Sequence, residues 1–446
     1  MRHWSLIVIM VVLLVACGAA PAPPPTPSAS AVPAATSVAT RTSLPAATPT
    51  PLPLATPLPT APPTPALPSY DLVLRGGTLI DGTDAPPLAD AAIAIRDGRI
   101  AAVGPASSIP FSPDTPVRDL PGTTFLPGFI NAHAHTWTLA DDELHGWVRA
   151  GVTTLRDLSG PRELLVTRRD TLASDPNMPR LFVAGPMVTV ARGHPIPIYG
   201  LSDRVLTVNG VEHAAQIING LLDDGVDLIK IAVSGRTDTA WPELLDEEIR
   251  AIADAAHARG ARVTAHVDRS VALRRAVLNG IDDAAHMPRD RMPDELIAEM
   301  VARNVALVPT IDVYEGLAEE RGNAEEWRRT ILPVMYDNLR RFAAAGGTLA
   351  LGDDYGNPRV ALGMPMPEIE HWLAAGLTPL QVIVAATHGG AIVCGREEQI
   401  GRLLPGMAAD ILVVAGAPLD DIGALARPVL VVRDGEVAFA PRAGNP

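Results

Sequence analysis

Two apolar periods divide most of this chain. From Tyr70 onward, apolar and polar positions alternate in YDLVLRGGTLID and AIAIRDGRIAAVG, which predicts short strands, and Asp97-Gly98 inside the second predicts a type I′ hairpin. The same device returns near the C-terminus, where ADILVVAG is followed by VLVVRDGEVAF with Asp434-Gly435 at the turn. The middle alternates short apolar runs with segments of helical period, the pattern of a parallel sheet covered by helices. Eight candidate strands stand out: TTFLPGFINAH, GVTTLRDL, RLFVAGPMV, DLIKIAV, RVTAHV, IDDAAH, VALVPTI and TLALGDD. Among the helices, DEEIRAIADAAHARG is expected to stop at Gly260 and EEWRRTILPVMYDNLRRFAAAGG at Gly346, because glycine takes the left-handed cap conformation at little steric cost. The prediction is an α/β fold: a (β/α)8 TIM barrel over residues 126–400, with a small β-sandwich domain built from both chain ends, residues 69–125 and 401–446.

The first 68 residues follow neither period. Arg2 and His3 precede the run LIVIMVVLLVA, which is short for a spanning helix and reads as a targeting segment. It ends in LVACG, which resembles the lipobox of bacterial lipoproteins. That resemblance makes residues 1–17 a signal peptide, with acylation at Cys17 and a domain lipid-anchored to a membrane of the bacterial cell envelope on its extracytoplasmic side. An ordinary secretory signal or an uncleaved anchor are the alternatives. Residues 18–68 are almost wholly Pro, Ala, Thr and Ser and read as a tether, up to ~150 Å long if extended as polyproline II. Cys17 and Cys394 are the only cysteines, so acylation of the first leaves no intramolecular disulfide.

With 446 residues, 47% of them hydrophobic, the chain can bury a large core. A formal charge of −14, no basic stripe and no phosphate-binding glycine loop argue against a nucleic acid partner.

Chemistry-bearing residues gather at the ends of the predicted strands. His133 and His135 are two apart on the first run, so both imidazoles face one side. His266 ends the fifth run, His286 the sixth and Asp354 the eighth, while Lys230 lies on the fourth. Each alone is an ordinary core residue; together they mark the C-terminal face of one barrel, where such folds place their chemistry. Lys230 is also the only lysine in the sequence. His145, His213, His257 and His371 fall on predicted helices as solvated or structural residues, and His388 is given no role.

From about Tyr70 to its end the chain resembles the amidohydrolase superfamily. PGFINAHAHT is similar to that family's first-strand HxH motif, and GVTTLRDL, AHARGARVTAHV and NGIDDAAH resemble its imidazolonepropionase-like and prolidase-like branch. GRLLPGMAADILVV resembles the return into the β domain. Two departures are Asn131, where relatives often carry Asp, and Asp353-Asp354, where Thr-Asp is common. The resemblance implies two divalent metal ions, zinc by ligand type with manganese or cobalt as alternatives. His133, His135 and Asp354 would hold one and His266 and His286 the other, with Lys230 bridging them as a carbamate. An amine can add carbon dioxide and become an oxygen ligand, which a guanidinium does not do. A buried ion pair of Lys230 with a neighbour such as Asp354 is one alternative, a single-metal site with Lys230 unmodified is the main rival, and Asp353 competes with Asp354 as the ligand.

The implied reaction is cleavage of a C–N bond by a metal-bridged hydroxide, with Asp354 as general base and then general acid. Implied substrates are small-molecule amides: dipeptides of the Xaa-Pro type or N-acyl amino acids. Arg192, His194 and Tyr199 after the third run and Arg236 after the fourth are candidates to bind a substrate carboxylate, or else serve to order loops. A mononuclear deaminase or cyclic-amide hydrolase and a non-catalytic binding lipoprotein are the competing functions.

Overall fold

The computed structural model describes residues 67–234 and 241–441, without the side chain of Tyr199. Both ends of this region enter one eight-stranded sheet. Strands Leu72–Leu79, Leu88–Arg96, Arg99–Pro105, Val117–Asp119 and Thr123–Pro127 come from the front, and Ile411–Ala415, Pro428–Arg433 and Glu436–Phe439 from the back. The seam is antiparallel, Ile411–Ala415 against Thr123–Pro127. Alternation explains its two faces: Leu74, Ile93, Ile95, Phe125, Ile411 and Val413 share one apolar cluster, while Val73, Ala92 and Ala94 pack with Ile109 in another. The strands of both ends thus form one hydrogen-bonded sheet, and two separate facing sheets are not among the described elements.

Both hairpin turns have the backbone that their sequences predict. Asp97 and Gly98 have φ of 52° and 73°, and Asp434 and Gly435 47° and 83°. The tips touch, because a Cβ on Gly435 would come within 2.7 Å of Gly98 Cα. Only glycine permits that approach.

The middle of the chain forms two parallel sheets. One holds Phe129–Ala134, Val152–Asp157 and Arg180–Val183; the other runs Val205–Val208, Met187–Val190, Leu228–Ala232, Arg262–His266, Asp283–Ala285 and Ala306–Val308. Backbone bonds join them at two places. Asp227 N–H donates to Val183 O at 2.9 Å, and the segment TLALGDD links Ala306–Val308 to Phe129–Ala134 through Ala350 N–H to Leu307 O (3.0 Å) and Ala132 N–H to Leu351 O (2.8 Å). That segment makes isolated bridges rather than the ladder expected of an eighth strand, partly because Leu351 N–H turns to Ala385 O. A continuous closed ring of ladders is therefore not present among the described residues.

Three predicted elements divide. TTFLPGFINAH breaks at Gly128, between the terminal sheet and the central one. RLFVAGPMV breaks at Gly185-Pro186, where Gly185 has φ of 66°, and its halves lie in different sheets. The long helix predicted up to Gly346 is interrupted at Ile331, giving Ala324–Thr330 and Leu332–Ala344. Pro333 explains the interruption, since it lacks the N–H and clashes with the preceding turn. The glycine stops hold, with φ of 73° at Gly260 and 80° at Gly346.

Candidate metal centre

The first central strand delivers His133 and, just past its end, His135. Opposite them the TLALGDD segment delivers Asp354, whose Oδ1 lies 3.2 Å from His133 Nε2 and 2.9 Å from His135 Nε2. Gly352 allows this proximity: a Cβ there would lie 2.8 Å from His133 N and from Val308 Cγ1. Asp354 and His286 both adopt left-handed backbone, with φ of 61° and 78°. Such strain in non-glycine residues is characteristic of functional sites.

His286 follows the Asp283–Ala285 strand, and its Nδ1 sits 2.7 Å from Thr310 Oγ1. Its ring centroid lies 4.8 Å from that of His133 and 4.4 Å from that of His266. Donor atoms of His133, His286 and Asp354 fall within 4.8 Å of one another, and all three residues are buried. His266 is covered by His194, stacked at 4.1 Å and 15°, and Trp241 continues the stack at 6.1 Å from His194. Lys230 is wholly buried, and its Nζ has no hydrogen-bond partner among the described residues.

The charge states follow from burial. It lowers His133 to about 3 and keeps His266 and His286 well below the ordinary imidazole value, so these rings are neutral with lone pairs to offer. Burial likewise lowers the Lys230 amine to about 7. Burial opposes ionisation of Asp354, but His133 and His135 outweigh it and the carboxylate stays ionised well below its usual range.

These residues fit a divalent cation. His135 Nδ1 lies 3.2 Å from Ser159 O, an acceptor, so the proton of a neutral ring sits there and the Nε2 lone pair faces Asp354 Oδ1. Two such lone pairs repel unless a cation or proton lies between them. Without a metal, the Asp354 contacts raise His135 against the opposing effect of burial, which is the proton taking the cation's place. Neutral imidazoles and a carboxylate, with a carbonyl orienting one ring and a hydroxyl another, are a donor set suited to zinc and its neighbours.

Asp353 is engaged on its other side. Its Oδ1 accepts from Asn131 Nδ2 at 2.8 Å and from the Tyr355 N–H at 3.1 Å, and burial raises its pKa to about 7. The two departures from the family pattern, Asn131 and Asp353, are therefore each other's partners.

Of the residues expected to bind substrate, His194 reaches the cluster and Arg192 is exposed, with no contact to the cluster among the described residues. Tyr199 ends the short helix Ile196–Tyr199, and Arg236 and Cys17 lie outside the described residues. Sequence reasoning missed Trp241, Thr310 and Tyr314, whose ring lies 5.9 Å from His286 with the Arg289 guanidinium 5.5 Å from it. Thr310 lies at the end of the seventh predicted strand, VALVPTI, so the strand-end rule could have found it.

The amidohydrolase family profile matches residues 124–438. An ochratoxinase from Aspergillus niger is 26% identical over 419 residues, spanning 80% of this chain and 84% of that protein. An imidazolonepropionase from Symbiobacterium thermophilum is 27% identical over 370 residues, spanning 74% of this chain and 85% of that one. The solved structure of a Xaa-Pro dipeptidase with methionine bound in its active site shares the fold, with a TM-score of 0.73 at 24% identity over 83% of this chain and 100% of that one.

Proposed function

Because the chain belongs to the amidohydrolase family and is a hydrolase acting on C–N bonds, we propose that it cleaves an amide or peptide-like bond at a centre of two divalent metal ions, with zinc the best match. His133, His135 and Asp354 would hold one ion, His266 and His286 the second, and carboxylated Lys230 would bridge them. The supporting observation is the unpartnered Lys230 amine, buried in a parallel strand whose neighbour ends in His266. Substrates in this reading are dipeptides of the Xaa-Pro type or N-acyl amino acids.

Bound divalent ions supply Lewis acidity, which acidifies water and polarises a scissile carbonyl. The chain's own residues supply the rest. Asp354 accepts a proton from the attacking water on its carboxylate and returns it to the leaving nitrogen. Ser159 O and Thr310 Oγ1 fix the rings of His135 and His286, so their free nitrogens face inward. His194, stacked on His266, forms a wall against which a substrate group can lie. In this reading the central sheets form a (β/α)8 barrel, and the LVACG motif lipid-anchors the domain in the cell envelope at Cys17.

Elemental analysis after reconstitution with zinc and bicarbonate tests the centre. About two metals per chain are expected, together with turnover of dipeptides or N-acyl amino acids. One metal per chain with turnover of cyclic amides alone, or a Lys230→Arg variant with full metal content and activity, would overturn the bridged reading.

A further inference from the structure

Lys230 is completely buried and has no hydrogen-bond partner among the described residues. A buried ammonium ordinarily pairs with a carboxylate, and its own layer contains one. Lys230 is in register with Thr264 on the next strand, and Thr264 with Asp283 on the strand after it. Asp283 is equally buried, but its oxygens are already engaged. Arg156 Nη1 and Nη2 donate to them at 2.9 and 2.8 Å, and Thr264 Oγ1 donates to Oδ1 at 2.6 Å. Arg156 comes from the second central strand, steadied by Nε on Ala132 O at 2.7 Å and Nη1 on Val393 O at 3.0 Å. A guanidinium suits this role, because its planar fork meets both carboxylate oxygens and keeps its proton.

We propose that Arg156 is a positioning residue that occupies the Asp283 carboxylate, so that the Lys230 amine stays unpaired and free to form the carbamate. The proposal rests on the reading of Lys230 as a carboxylated ligand. In that step the Nζ lone pair bonds to the carbon of carbon dioxide, one C=O electron pair moves onto oxygen, and one nitrogen proton passes to water. An ammonium held by a carboxylate has no lone pair with which to begin. Without Arg156, Asp283 is a buried anion with Lys230 as the cation in its layer, and the two neutralise each other.

The test uses the full-length protein reconstituted with zinc and ¹³C-bicarbonate, reading metals per chain and the carbamate carbon resonance by NMR. Wild type is expected to show the resonance and about two metals, and Arg156→Met to lose the resonance and at least one metal. Arg156→Met combined with Asp283→Asn removes the competing carboxylate and is expected to regain both signals. A role confined to bracing the strands predicts the opposite order, with the double variant no better than the single. If Arg156→Met does not fold, Arg156→Leu takes its place, since it likewise removes every donor to Asp283. A folded double variant without the resonance, or an arginine variant that keeps it, overturns the proposal alone; wild type without the resonance overturns the carboxylated-lysine reading as well.

Discussion

Asn131 and Asp353 offer a test of how this chain supports its site with residues unlike those common among its relatives. The Asn131 amide donates to Asp353 Oδ1 at 2.8 Å, and both side chains are buried to 1% exposure. Replacing Asn131 by Asp removes that donor and sets two carboxyl groups against each other. A buried hydrogen bond to a carboxyl that is partly ionised at neutral pH is lost, worth about 1–3 kcal/mol, and the buried pair must then share a proton. The expected destabilisation of Asn131→Asp at neutral pH is about 3 kcal/mol or more. Asp353→Thr alone keeps an oxygen for Asn131 and should cost about 1 kcal/mol. The double variant recreates the Asp and Thr common in relatives, with the threonine hydroxyl donating to the new carboxylate. It is expected to be more stable than Asn131→Asp alone, with a coupling of about 2 kcal/mol. Urea denaturation of the four proteins in metal-free buffer gives the coupling directly. Additivity within about 0.5 kcal/mol would refute the claim that these two residues compensate for each other.

Two further outcomes follow from the same site. Thr310→Val leaves His286 Nδ1 without its hydroxyl partner, now at 2.7 Å, and is expected to weaken metal affinity by ~10–100-fold, measured by chelator competition; unchanged affinity would show that the ring is oriented by packing alone. Burial lowers Lys230 from 10.5 in the unfolded chain to about 7 when folded, so between these values the unfolded state binds more protons and stability rises with pH. In metal-free protein without bicarbonate Lys230 should contribute about 1.4 kcal/mol per pH unit over that window, read in urea denaturation as the difference in slope between wild type and Lys230→Met; equal slopes would mean that the amine is not buried as a free base.

Much of the local structure was determined by sequence periodicity and turn chemistry. Alternation placed the terminal strands, Asp-Gly placed both hairpins, and glycines at Gly260 and Gly346 stopped their helices, because these features depend on neighbouring residues and backbone sterics alone. The strand-end rule also pointed to His133, His135, His266, His286, Asp354 and Lys230. What it could not supply was pairing across distant segments. RLFVAGPMV reads as one apolar run, yet Gly185 divides it between two sheets, and TLALGDD reads as a strand, yet Leu351 turns to Ala385. The partner of the buried Asp353 carboxyl is Asn131, more than two hundred positions away. Likewise, Arg156 claims Asp283 across the sheets and leaves Lys230 alone. Periodicity reports which face of an element is apolar, but the partner of a buried charge is decided only when strands remote in sequence come within hydrogen-bond distance, where an unpaired polar group is too costly to leave to chance.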